Sequence, residues 1–165
     1  MSIDLNDIII RTNLQSGDIG YITYMHGVFH MKECGYGLSF ESYVAEGLHE
    51  FYKNYNPEKE RVWICEHNNK IIGSLLLMDR SKNTAQLRYY IIEPEYRGIG
   101  LGKKLIDLFM QFLKEKNYKS CYLWTTNELE TAASLYIKYG FKLTEEKETT
   151  DFGKKVTEQR YYLLL

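Results

Sequence analysis

One stretch constrains this chain more than any other: Arg97-Gly98-Ile99-Gly100-Leu101-Gly102-Lys103-Lys104. It stands between two apolar patterns of different period. Ahead of it, Leu87 to Ile92 reads as a buried strand, closed by a Glu93-Pro94 corner. Behind it, Leu101, Leu105, Leu108, Phe109 and Phe112 recur at the spacing of one helix face. Alternate glycines thus sit where a strand turns into a helix. Glycine allows positive φ and lets a ligand approach the backbone, because no Cβ intervenes. The first turn of a helix presents unpaired N–H groups and the positive end of its dipole. With Arg97, Lys103 and Lys104 adding full charge, the stretch suits a phosphate or pyrophosphate. Spacing narrows the choice. A P-loop needs four residues between its first Gly and Gly-Lys-Ser/Thr, and here Lys104 follows Lys103. A dinucleotide fingerprint needs G-x-G-x-x-G and an acid ending the next strand, whereas the spacing is G-x-G-x-G and the next strand ends Leu123-Trp124-Thr125. What remains is R-x-x-G-x-G behind a strand. Taken alone, it fits a tight ligand-free turn equally well.

Composition bounds the rest. A chain of 165 residues, 44% hydrophobic and 26% charged, is expected to form a single domain over 1–165 with a sizeable core. A net charge of −1 argues against nucleic acid as a bulk electrostatic partner, so any anion site must be local. No apolar run reaches transmembrane length, and Met1-Ser2-Ile3-Asp4 carries no basic segment of a secretory signal. Cys34, Cys65 and Cys121 are widely spaced and lack metal-ligand pairing. Reduced thiols in a cytoplasmic protein, and no metal, are the expectation.

Taken in order, the chain reads as a strand over Ile8 to Thr12, then a helix opened by Asp18 as N-cap and running to about Lys32. Ser39 is placed to cap a second helix, Phe40 to Asn54. Arg61 to Glu66 and Lys70 to Asp79 form a hairpin about Asn68-Asn69, and Thr84 to Ile92 returns antiparallel into the glycine stretch. The helix behind that stretch stops at Asn117. Ser120 to Thr125 is a strand, Glu128 to Tyr139 a helix, and Phe141 to Lys147 with Thr157 to Leu165 a closing hairpin. Alternation along Thr84 to Ile92 puts Gln86, Arg88 and Tyr90 on one face.

A second motif follows the first by one helix and one strand: Ala132-x-x-Leu135-Tyr136-x-x-x-Gly140-Phe141. By itself it is an amphipathic helix with a glycine C-cap, and Tyr136 could be a core tyrosine. Together, in this order, the two motifs resemble those of the GNAT superfamily of acetyl-CoA-dependent acetyltransferases. In finer detail Ser16-Gly17-Asp18-Ile19-Gly20, His26-Gly27, Phe40-Glu41, Ala85-Gln86-Leu87-Arg88 and Leu123-Trp124-Thr125 are similar to the acetyltransferase half of bacterial fusions with MarR-type regulators. The resemblance brings no DNA-binding function with it.

The resemblance implies an α+β fold. About seven strands form a twisted, mixed, mostly antiparallel sheet with about four helices, splayed open to take acetyl-CoA. It implies a pyrophosphate site on the backbone from Arg97 and Gly98 through Ile99, Gly100, Leu101 and Gly102 to Lys103, and pantetheine pairing at Ile91 and Ile92. One of those two N–H groups would meet the developing oxyanion. Many members carry an Asn where this chain has Leu129, with Asn127 the nearest substitute. Tyr136 matches the family's proton donor to the leaving thiolate. The implied reaction is acetyl transfer to a primary amine of a small molecule, peptide N-terminus or lysine, by a monomer or homodimer. The other reading is an acetyl-CoA sensor with little turnover. The base stays open among Glu33, Glu41, Glu66, His26 and His30. The polar, glycine-interrupted stretch His26 to Glu41 is expected to wall the acceptor pocket through His26, Glu33, Tyr36 and Glu41.

Overall fold

The structure, a computed structural model, describes residues 2–165. A short strand, β1 (Ile9–Arg11), precedes two helices, α1 (Asp18–Cys34) and α2 (Leu38–Lys53). A meander follows: β2 (Arg61–His67), β3 (Lys70–Arg80) and β4 (Thr84–Ile92). Then come α3 (Leu101–Glu115), β5 (Ser120–Thr126), α4 (Glu130–Lys138) and a closing hairpin of β6 (Lys142–Thr149) and β7 (Val156–Leu164). The seven strands form one sheet in the order β1-β2-β3-β4-β5-β7-β6, antiparallel except for the β4–β5 pair. Asn68 and Asn69 take φ of 50° and 62°, the left-handed pair that a two-residue hairpin turn requires, and Lys82-Asn83 repeats it at 58° and 55°.

Helices cover both faces of the sheet, so the central strands bury both sets of side chains. Along β3, Leu75 and Leu77 enter the cluster under α3 and α4 with Leu105, Phe109 and Tyr136. Leu76 and Met78 enter the cluster under α1 and α2 with Ile22, Val44 and Leu48. This explains the unbroken apolar run of that strand.

Two helix starts differ from expectation. Asp18 is the first residue of α1, after Gly17 at φ 98°, and no side chain caps that end. The Asp18 carboxylate instead turns back to accept the Gln15 N–H at 2.6 Å and both terminal nitrogens of Arg11 at 2.8 and 2.6 Å. Arg11 also donates to Glu66 at 2.7 Å, so one guanidinium ties β1, β2 and α1. Ser39 caps nothing, since α2 begins at Leu38 behind Gly37. The first helix also runs past Lys32 to Cys34, where Gly35 at φ 74° ends it.

The feature that shapes the functional region is in β4. Ser74 pairs with Ile91 but Leu76 with Arg88, so β4 carries one extra residue there. Tyr89 takes φ of 54°, and the Ser74 hydroxyl donates to the Tyr89 carbonyl at 2.7 Å. This β-bulge flips the facing of everything beyond it. Arg88 and Tyr89 both face α1 and α2, while Tyr90 turns to the α3 side, overturning the expected shared face of Gln86, Arg88 and Tyr90. Beside the bulge, β4 and β5 pair only over Thr84–Ser120, Ala85–Cys121 and Gln86–Tyr122, then part.

The Arg11–Asp18 pair is the tie most exposed to a single change. Asp18→Ala would remove the acceptor of the Gln15 N–H and the closer of two carboxylates from a nearly buried guanidinium, leaving it Glu66 and the Asn13 carbonyl. We expect a loss of about 3 kcal/mol in urea unfolding, with the β4–β5 region unaffected in ligand binding.

Candidate functional site

The glycine stretch is a loop leading into α3, and its glycines do two different jobs. Gly98 and Gly100 take φ of 81° and 92°, and Gly100 is the N-cap of α3. A Cβ added at Gly98 would meet nothing within 4 Å, and at Gly100 only Leu5 Cδ2 at 3.7 Å. The outer side of this loop is therefore open, with first-turn N–H groups available to an anion. Gly102 differs from the expectation of ligand approach. It lies inside α3, and a Cβ there would run into the Tyr90 hydroxyl and touch Ile92 Cδ1 at 3.6 Å. Its bare backbone lets α3 seat on β4. Ile99 and Leu101 pack into the core, so only their backbones face outward. Lys103 is exposed and bridges Asp107 at 2.8 Å.

Arg97 is a strut as much as a charge. It donates to the Ile92 carbonyl at 2.9 Å and to Glu33 at 2.8 Å. This corrects the placement of Glu33, which sits on the loop side of α1 and not in an acceptor wall. The two strand residues also part company. Glu93 N–H donates to Ile72 O at 2.8 Å, so by antiparallel alternation Ile91 spends its backbone groups on Ser74. Ile92 turns the other way, toward the gap between β4 and β5. With its carbonyl held by Arg97, its N–H is the group left for a ligand, and Ile91 is withdrawn as a backbone contact. Asn127 is tied to Thr157 through its backbone N–H and its side-chain oxygen, at 3.0 and 3.2 Å, which leaves only its side-chain amide nitrogen to offer a ligand.

On the α1–α2 side the parting strands leave a cavity of about 270 Å³. Its walls include His26 and His30 of α1, Arg88 and Tyr89 of β4, Trp124 of β5 and Tyr136 of α4. Tyr136 is buried, its ring edge-on to Tyr90 at 6.1 Å, and its hydroxyl makes no hydrogen bond among the described residues. Burial pushes its pKa up, which keeps it a protonated donor. Tyr36 also lines the cavity, with its hydroxyl 2.6 Å from Thr126 Oγ1. Glu41 does not: it packs against Gly27 between α1 and α2. Leu129 lines the wall where the family's Asn would stand. Phe152 and Glu158, reached by no sequence motif, come in from the closing hairpin. Trp124 had a signal, as part of the Leu123-Trp124-Thr125 stretch.

Of the five acids and histidines offered as bases, the cavity receives only His26 and His30. Each bonds a backbone carbonyl through Nδ1, His26 to Ile22 at 2.8 Å and His30 to His26 at 2.9 Å. That assigns the proton to Nδ1 and leaves Nε2 as acceptor. Burial, then the neighbouring His30, holds His26 down to about 3, against the pull of the Ile22 carbonyl. Burial also lowers His30, although Glu33 pulls it up. At neutral pH both are uncharged acceptors, and His26 is too weak a base to carry a proton away. Glu66 is held by Arg11. All three cysteines are buried and free, and burial raises the Cys34 thiol, so none is an activated nucleophile. Among the described residues no group of three His, Cys, Asp or Glu side chains is placed to hold a metal.

The buried His26 carries a pH signature. Its folded pKa lies below its unfolded value of about 6.5, so the unfolded chain binds more protons between pH about 6.5 and about 3. The stability it contributes is therefore full above pH 6.5 and declines as pH falls through that window. Urea midpoints taken from pH 7 to pH 5 should decline less steeply in His26→Asn than in the unsubstituted protein.

Comparison with known proteins agrees with this architecture. The acetyltransferase (GNAT) family profile matches residues 26–141. The uncharacterized N-acetyltransferase YjgM of Escherichia coli is 32% identical over 121 residues, which is 70% of this chain and 72% of that protein. Rat N-acetyltransferase 8F1 is 26% identical over 73% of this chain, and the match spans 58% of its length. A GNAT family acetyltransferase of Elizabethkingia anophelis, solved with acetyl-CoA bound, superposes with a TM-score of 0.67 at 18% identity, over 97% of this chain and 99% of its own. Among the described residues no helix is long and apolar enough to cross a membrane. With the family profile spanning both motifs and the splayed sheet between them, the chain belongs to the acetyltransferase (GNAT) family of acetyl-CoA-dependent acyltransferases.

Proposed function

We propose that this chain transfers an acetyl group from acetyl-CoA to a primary amine, with the two substrates meeting at the parting of β4 and β5. One observation carries the reading: beyond Gln86 the β4 edge is unpaired, and it runs from the acceptor-side cavity to the open glycine loop. The loop fits a pyrophosphate. Gly98 has open space where a side chain would be, and Gly100 places the α3 N-terminus behind it. The Ile92 N–H is free for the amide-bearing arm of the cofactor, as an added strand would use it. Bound there, acetyl-CoA supplies an acetyl group activated as a thioester.

The chain's own residues do the rest. Tyr136 holds a proton at a hydroxyl without a competing partner, where the cavity meets the β4–β5 gap. In this reading it gives that proton to the departing sulfur and its oxygen regains one from the nitrogen that has attacked, so the amine's proton ends on the thiol. His26 and His30 offer neutral Nε2 acceptors that orient an amine without adding charge. Arg97, braced by Glu33 and the Ile92 carbonyl, keeps the loop in register with the strand edge. Three buried, unpaired thiols suit a cytoplasmic setting. The proposed likeness to MarR-fused acetyltransferases is a resemblance of five short stretches, of which Ala85 to Arg88 and Leu123 to Thr125 line or flank the cavity.

Two measurements test this. Gly100→Val places a β-branched residue at φ 92° and should abolish acetyl-CoA binding by calorimetry while the protein stays folded. Gly102→Ala should behave differently, lowering the thermal midpoint through its collision with Tyr90. Unchanged acetyl-CoA affinity in a folded Gly100→Val protein would overturn the site. Tyr136→Phe should lower turnover by roughly ten- to a thousand-fold with acetyl-CoA affinity little changed, and the loss should shrink at high pH, where the thiolate leaves unaided. A sensor would bind acetyl-CoA and release no thiol with any amine.

A further inference from the structure

The cavity holds two cations, and only one of them has an anion. Lys147 pairs with Glu158 at 3.5 Å. Arg88 has no carboxylate at salt-bridge distance among the described residues. Its Nη2 reaches the Tyr43 hydroxyl at 3.4 Å, and its guanidinium lies over the Tyr43 and Tyr89 rings at 5.6 and 4.6 Å. Glu46 and Glu50 line an adjoining groove of about 540 Å³ that Arg88 also borders, and neither bonds it. The group is held in place all the same. Gly47 of α2 is bare where Arg88 passes: a Cβ there would lie 3.1 and 3.3 Å from its two terminal nitrogens. Arg88 faces this side by alternation with Gln86, and the bulge brings Tyr89 to the same face beside it. A braced guanidinium with free donors is built to take a carboxylate in two parallel hydrogen bonds.

Its position sets the size of the ligand. Arg88 and Tyr136 line one cavity of about 270 Å³, so whatever reaches both is a small molecule. A carboxylate at Arg88 and an amine reaching the Tyr136 end belong to one small molecule. Four aromatic rings, Phe40, Tyr89, Trp124 and Phe152, form much of the remaining wall, beside the polar Gln86 and Thr126.

We propose that the amine acceptor is an α-amino acid with an apolar or aromatic side chain, its carboxylate taken by Arg88. This rests on the acetyl-transfer reading above and names the substrate class of the same site. The test compares phenylalanine, phenylalaninamide, phenethylamine and spermidine as acceptors, by thiol release with saturating acetyl-CoA. Each kcat/KM is corrected for its neutral amine fraction. Phenylalanine should exceed the two carboxylate-free analogues by roughly ten- to a hundred-fold, and Arg88→Met should erase most of that difference, with acetyl-CoA affinity unchanged. Arg88→Lys should keep part of it. In calorimetry the protein–CoA complex should bind N-acetylphenylalanine more tightly than N-acetylphenethylamine.

Equal use of acid and amide, a preference for spermidine, or discrimination that survives in Arg88→Met would each overturn the proposal while leaving acetyl transfer standing. Failure of acetyl-CoA to bind would remove both. The ligand comparison in the unsubstituted protein decides the matter even if Arg88→Met does not fold.

Discussion

The structure turns on one unpaired residue. The extra position at Tyr89 breaks the β3–β4 ladder, and three consequences follow from it. It reorients the strand, so β4 and β5 share only three residue pairs before they part. It reverses side-chain facing, which brings Tyr89 to the cavity beside Arg88 and sends Tyr90 to meet Tyr136. It also leaves a carbonyl outside the ladder, which the Ser74 hydroxyl takes up at 2.7 Å. A non-glycine residue at φ 54° is costly, by about 1–3 kcal/mol, and persists because the surrounding structure holds it. That restraint comes from the buried Tyr89 ring among His26 and the α2 face, and from Ser74 beneath it.

The glycine loop shows why a run of small residues should not be given a single explanation. Gly98 and Gly100 answer to backbone conformation, whereas Gly102 answers to packing against Tyr90. Arg97 binds the loop back to the strand end through Ile92 and outward to Glu33. An anion at the loop is therefore read by a backbone whose position the ion pair fixes. Lys103 is paired on the surface with Asp107 at 2.8 Å.

Much of this was legible from the chain itself. The strand–glycine–helix succession follows from a change of hydrophobic period between Ile92 and Leu101, and the hairpin turn follows from Asn68-Asn69. Both are local properties, and both match the structure. The bulge is not local: nothing in Arg88-Tyr89-Tyr90 announces an extra residue, because the register is set by β3. The error about Tyr90's face came from assuming unbroken alternation. Asp18 illustrates a different gap. Its sequence position is that of an N-cap, but a long-range guanidinium competes for the carboxylate and wins with two short bonds. The residues expected to wall the acceptor pocket divide for the same reason. His26 and Tyr36 reach the cavity, while Glu33 and Glu41 point to partners that only the folded chain brings near.

The electrostatics of the cavity bear on how an amine can react without a strong base beside it. Arg88 is positive, Lys147 and Glu158 pair with each other at 3.5 Å, and burial keeps His26 and His30 neutral. An ammonium group entering here would lose water and gain repulsion from Arg88, so the cavity disfavours the protonated amine. A free amine that carries a carboxylate is a net anion and complements Arg88. On the proposed reading the site would favour the nucleophilic form at the binding step, and the neutral imidazoles would need only to accept its hydrogen bonds. The rate would then follow the titration of the acceptor's own amine, and not that of a histidine on the protein. This accounts for a histidine pair whose basicity is suppressed in a place where a base would ordinarily be sought.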